Sequence, residues 1–97
     1  MFNKNNPTLM YFFAEWCPHC KNFQTEWNNI KKQLGGKSIN LVERSCVKYP
    51  EYCNSIKPLN GYPSIFFISQ DDKLPIEYTG NRTSKDLIKF TKSLIKN

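Results

Sequence analysis

Apolar residues along this chain follow two periods, and the change between them marks the elements. Thr8-Leu9-Met10-Tyr11-Phe12-Phe13 is a short, almost wholly apolar run, which predicts a strand covered on both faces. Beyond Ala14-Glu15-Trp16-Cys17 the period lengthens. Phe23, Trp27, Ile30 and Leu34 fall at i, i+4, i+7 and i+11, one stripe of an amphipathic helix. Pro18 suits the first turn of that helix, where its missing N–H costs nothing. Gly35-Gly36 ends it by supplying the left-handed conformation of a helix C-terminus. Cys17 is thereby placed at the helix start, with Cys20 three residues further on.

Ile39 to Arg44 reads as a second strand and Ser64 to Ile68 as a third. Between them Ser45 to Asn60 is irregular, broken by Pro50 and Pro58, with a turn or two of helix around Glu51 to Ile56. Ser69 to Lys73 is a turn by composition. Leu74 to Thr79 predicts a fourth strand, and Pro75 confines it to a sheet edge. The closing helix runs from Ser84 to Lys96 with Leu87, Phe90, Thr91 and Leu94 inward, flanked by Ile88 and Ile95. Thr83 is its expected N-cap, with Asp86 near the positive end of the helix dipole. Strand–helix–strand implies a parallel pair with a right-handed crossover, and the following hairpin adds antiparallel strands. The expected architecture is a single α/β domain over residues 1–97.

Composition changes this picture little. Ninety-seven residues fit one domain, with one modest core burying roughly 60–70% of the unfolded surface. No stretch reaches the length of a membrane span, and the polar segment Met1 to Pro7 lacks the apolar run of a secretory signal. Nor does a retention signal follow Lys96-Asn97. The expectation is a soluble monomer, cytoplasmic or virion-associated, with the lumen of the endoplasmic reticulum as the alternative. The net charge of +6 comes from 14 Lys and Arg against 8 Asp and Glu, scattered as singles and one Lys31-Lys32 pair. Without a basic run this is a solvated surface rather than a nucleic-acid footprint. A mild preference for acidic or unfolded partners is what the charge supports.

The four cysteines change it more. They fall in two pairs, Cys17/Cys20 and Cys46/Cys53, and an even count permits disulfides, one zinc site or a redox pair with spectators. Thiol exchange needs an accessible thiolate, a second thiol and a place for the substrate chain. At a helix start, unpaired N–H groups and the dipole favour the thiolate of Cys17. His19 can add positive charge or a hydrogen bond. Cys20, one turn along, can resolve a mixed disulfide, and Trp16 and Pro18 form an apolar rim. Zinc sites share the Cys-x-x-Cys spacing, so a module using all four cysteines is the rival reading. Pro63 offers the third requirement: a cis Tyr62–Pro63 bond would expose the Tyr62 backbone to an extended substrate, whereas a trans one would simply open a strand.

Together these residues resemble the thioredoxin superfamily, and within it the catalytic domains of protein disulfide isomerase. Ala14-Glu15-Trp16-Cys17-Pro18-His19-Cys20-Lys21 looks like the active-site turn, and Gly61-Tyr62-Pro63-Ser64-Ile65 like the cis-proline loop. Tyr78-Thr79-Gly80-Asn81-Arg82-Thr83 is similar to the signature before the last helix of isomerase domains. The resemblance implies a thioredoxin-like fold of about four mixed strands and about three helices, shortened at the N-terminus. It implies Cys17 as the attacking thiol, Cys20 as the resolving one and Pro63 as the facing cis proline. Arg82 matches an arginine thought to help deprotonate the resolving cysteine. Cys46 and Cys53 match a pair that is a non-catalytic disulfide in some isomerase domains. Protein thiols and disulfides, a redox partner and no metal or organic cofactor follow from the same likeness.

One departure stands out. The family places a buried acid six residues before the first cysteine, and in this chain that residue is Tyr11. With an ordinary pKa of about 10 it is a poor base at neutral pH. The dipeptide Pro18-His19 is also found in periplasmic disulfide-forming oxidants of this superfamily, which implies a bias towards oxidation or isomerisation. A cytosolic thioredoxin-like reductase is the alternative.

Overall fold

Seven elements follow one another as β1 (Thr8–Phe13), α1 (Pro18–Leu34), β2 (Asn40–Ser45), α2 (Pro50–Ile56), β3 (Ser64–Ile68), β4 (Ile76–Glu77) and α3 (Ser84–Leu94). The structure is a computed structural model that describes residues 5–56, 61–70 and 74–95. Its sheet has the order β2-β1-β3-β4, with β1 parallel to β2 and antiparallel to β3, and β4 antiparallel to β3. The four mixed strands and three helices are those the sequence predicts. No helix among the described residues is long and apolar enough to cross a membrane.

Alternate residues of β1 go to opposite faces of the sheet, which divides the core in two. Leu9 and Tyr11, with Ile65 of β3, meet Phe23, Trp27, Ile30 and Leu34 of α1 and Leu87 and Ile88 of α3. On the other face Met10, Phe12 and Phe66 meet Cys46 and Cys53. Burying a side chain of this size contributes about 1.5–3 kcal/mol, so the four-residue stripe of α1 holds that helix to the sheet. Polar groups taken inside find partners. The buried Trp27 donates Nε1–H to Glu43 Oε1 at 2.7 Å, where Lys31 Nζ also arrives at 3.1 Å. Thr91, fully buried, gives its hydroxyl hydrogen to the Leu87 carbonyl at 2.8 Å.

Several boundaries differ from the expectation. Gly36, with φ of 79°, takes the left-handed conformation, whereas Gly35 is extended. Gly35 answers a different need, because a Cβ there would run into the Lys31 carbonyl oxygen. The second strand begins at Asn40 rather than Ile39 and extends to Ser45. Pro50 opens α2 instead of merely breaking the segment, as a residue with fixed φ and no N–H can at a helix start. The fourth strand shrinks from six expected residues to Ile76–Glu77. It lies at the sheet edge as Pro75 requires, but Leu74 is 88% exposed. The closing helix ends at Leu94, capped by Ile95, and Thr83 is its N-cap, accepting the Asp86 N–H at 3.2 Å. Pro58 and much of the expected turn at 69–73 lie outside the described residues.

Candidate active site

The start of α1 is capped by sulfur. Cys17 is extended (φ −83°, ψ 114°), and its Sγ accepts the Cys20 N–H at 3.2 Å, the part usually played by a Ser, Thr or Asp oxygen. Pro18 follows in the first turn. The same sulfur donates to the Tyr62 carbonyl at 3.6 Å. The Tyr62–Pro63 bond is cis and Pro63 is buried. Trp16, 67% exposed, stands edge-on to the Tyr62 ring at 5.9 Å, and Pro18 and His19 are exposed beside it. Helix start and proline loop, 45 residues apart in sequence, therefore meet at the Cys17 sulfur, where a thiolate would keep the Cys20 N–H contact.

Both thiols are free, but they are more enclosed than the sequence suggested. Cys17 is 3% and Cys20 4% exposed, with Ala14, Phe13 and the Tyr62 side chain packed on them. The packing of these side chains outweighs the position of the cysteines at a helix end. Burial, reinforced by the hydrogen bond with Cys17, pushes the Cys20 thiol up from 9.0 to about 12. The charge of Arg82, itself exposed before α3, acts the other way as a minor influence. Beneath the thiols Tyr11 is fully buried, and its hydroxyl donates to the Cys20 carbonyl at 3.3 Å. Burial first, and then negative charge on Cys20 and Glu43, hold its phenol above the ordinary range. Tyr11 is thus a neutral donor under the thiols.

Cys46 and Cys53 are joined in a disulfide, Cα to Cα 5.7 Å. Cys46 follows β2 and Cys53 lies within α2, so the separation of a continuous helix does not apply. With these two bonded to each other, a four-cysteine zinc set is not assembled. No group of three or more metal-ligating side chains occurs among the described residues.

Two contacts escaped the sequence. The Ser45 hydroxyl reaches both oxygens of Glu15, at 2.6 and 2.9 Å, and no pattern links residues so far apart. Trp27 on Glu43 did have a signal, since a buried indole N–H needs an acceptor.

Comparison with known proteins gives this geometry its kinship. The thioredoxin family model matches residues 1–93. The protein disulfide-isomerase of Saccharomyces cerevisiae is 34% identical over 83 residues, covering 84% of this chain and 16% of that protein. The protein disulfide-isomerase of Arthroderma benhamiae is 31% identical over 94 residues, 95% of this chain and 18% of that one. This chain thus spans less than a fifth of either relative. Among solved structures, the first two thioredoxin domains of Eps1p from Naumovozyma dairenensis superpose with a TM-score of 0.79 at 26% identity, covering 92% of this chain and 35% of that one. The chain belongs to the thioredoxin family, and its relatives among the disulfide isomerases support thiol–disulfide oxidoreductase chemistry at the level of the domain.

Proposed function

We propose that this thioredoxin-family domain exchanges disulfides with protein substrates through Cys17 and Cys20, as an oxidase or isomerase rather than a reductase. One observation carries the reading: a free cysteine sulfur caps a helix and touches the carbonyl before a cis proline. A Cys17 thiolate attacks one sulfur of a substrate disulfide, forming a mixed disulfide and releasing the first substrate thiolate. Cys20 then loses its proton, attacks Cys17 Sγ and releases the second, so the substrate gains two electrons and the protein keeps a Cys17–Cys20 disulfide. Run backwards, the same steps oxidise a substrate dithiol, and a second disulfide, the redox partner, must reoxidise the domain.

Loss of the Cys20 proton is the uphill step, because burial raises that thiol to about 12. Tyr11 does not accept it at neutral pH, so water takes it, helped by the field of Arg82. The Tyr62 backbone receives the substrate chain, with Trp16 and Pro18 as its apolar rim and the exposed His19 in the first turn of α1. Pro18 and His19 favour an easily reduced disulfide, with a potential of roughly −200 to −120 mV. The bonded Cys46–Cys53 pair favours an oxidising compartment over the cytoplasmic expectation.

Refolding of a scrambled disulfide protein and reduction of insulin test the assignment together. Cys17→Ala is expected to abolish both, whereas Cys20→Ala accumulates mixed disulfides visible on a non-reducing gel. Full activity in either variant would refute these roles of attacking and resolving thiol.

A further inference from the structure

The turn that leads into α1 is fastened from outside its own backbone. Both oxygens of Glu15 lie within hydrogen-bond reach of Ser45 Oγ, at 2.6 and 2.9 Å, and Lys48 Nζ stands 3.9 Å from Oε2. A serine hydroxyl has a single hydrogen to give, so the two oxygens share it. Its direction is set by the other contact of Ser45, whose Oγ accepts the Lys48 N–H at 3.2 Å. That leaves the hydrogen to point at Glu15, and the bond holds the Glu15 carboxyl below the usual carboxylate range.

The two ends of this contact differ in rigidity. Ser45 is 5% exposed and closes β2. The next amide, Cys46 N–H, bonds to the Phe13 carbonyl at 2.8 Å, and its side chain is crosslinked to Cys53. Glu15 and Trp16 by contrast are exposed, in a turn spanned by the Cys17 N–H to Ala14 carbonyl bond at 3.0 Å. Because the ion pair to Lys48 is long and exposed, it adds little. The hydroxyl–carboxylate bond is the stronger kind.

We infer that Glu15 is a positioning residue: through Ser45 it fixes the catalytic turn on the end of β2, setting Trp16 against Tyr62 and the Cys17 sulfur against the Tyr62 carbonyl. The inference rests on the exchange role of Cys17 proposed above. It concerns protein substrates, which must lie across Trp16 and Tyr62, more than small disulfides, which need the sulfur alone.

The test measures kcat and KM of the full chain with a disulfide-bonded protein substrate, and the thiol reaction rate with 5,5′-dithiobis(2-nitrobenzoate), on variants shown to be folded. Glu15→Ala is expected to raise the protein KM about fivefold to tenfold, part of the worth of one charge-assisted hydrogen bond, and to change the small-disulfide rate less than about twofold. Ser45→Ala removes the same contact and the acceptor of the Lys48 N–H besides, so it should lose at least as much, and the double variant should be no worse than Ser45→Ala alone. Glu15→Gln keeps an acceptor oxygen and should recover roughly half or more of kcat/KM. An unchanged protein KM in Glu15→Ala, equal losses on both substrates, or losses that multiply in the double variant would overturn the inference. Failure of the unaltered chain to react with the small disulfide at Cys17 would instead overturn the exchange function itself.

Discussion

Cys17 and Cys20 are 3% and 4% exposed, Cys46 and Cys53 7% and 1%, so burial does not tell one pair from the other. Their surroundings do. Cys46 and Cys53 are bonded to each other among Met10, Phe12 and Phe66 on one face of the sheet. Cys17 and Cys20 share a helix end, a backbone N–H and a proline-loop carbonyl at the C-terminal end of β1. Tyr62 packs on both clusters, so the two chemistries are neighbours. Four residues of one type are thus divided into a bonded pair and a free pair that meets a helix end and the proline loop.

The comparison breaks most sharply at the sulfurs themselves. Cys17→Ala should lower exchange by at least about a hundredfold, as removal of a nucleophile does. The paired change Cys46→Ala with Cys53→Ala should leave exchange within about threefold in the folded protein, since the staple acts on stability and not on the reacting sulfur. Its effect belongs in a melting curve. Opening so small a loop costs roughly 2–3 kcal/mol, or about 10–20 °C in Tm for a domain of this size. A loss under about half of the lower figure would mean that the unfolded chain gains little freedom when the bridge is opened.

Alkaline titration sharpens the contrast further. In the reduced protein Cys20 is raised from 9.0 to about 12, so above pH 9 the folded state holds a proton that the unfolded chain has lost. Unfolding is then favoured as pH rises. Stability from this group is full below about pH 9 and falls towards pH 12. Urea unfolding between pH 8 and 10 should show the decline in the reduced protein, and a smaller one, beginning near pH 10 from the raised Tyr11 phenol, with the Cys17–Cys20 disulfide closed or in Cys20→Ala. A flat profile in the reduced protein would contradict the enclosure of Cys20. The smallest effect is expected from Tyr11→Phe, which removes the bond to the Cys20 carbonyl for about 1 kcal/mol. Turnover should change less than about threefold, because the phenol supplies no base. A tenfold loss in steady-state kinetics would give Tyr11 a part in the proton transfer.

What could be read from the sequence follows the strength of each local signal. β1, α1 and β3 stand out because their apolar residues have nowhere to go but a sheet interior or one helix stripe. Cys17 at the helix start was legible for the same reason, since the stripe and Pro18 fix where α1 begins. The fourth strand is shorter than expected because Leu74 to Thr79 alternates weakly: Ile76 and Glu77 pair with β3, and beyond them Tyr78 adds one N–H bond to the Ile65 carbonyl. Gly36 supplies the left-handed turn expected of the Gly35-Gly36 pair, and a pair of glycines does not by itself say which of them turns. The enclosure of Cys17 and the hold of Ser45 on Glu15 are tertiary events, set where the end of β2 and the proline loop arrive, and no local pattern announces them.

The most direct measurement equilibrates the protein in glutathione buffers of graded potential, alkylates the thiols and locates them by mass spectrometry. Cys17 and Cys20 should convert between dithiol and disulfide together at roughly −200 to −120 mV, while Cys46 and Cys53 remain bonded throughout that range. Conversion at Cys46 and Cys53 instead, or at Cys17 and Cys20 only near −270 mV, the value of a thioredoxin-type reductase, would contradict the account.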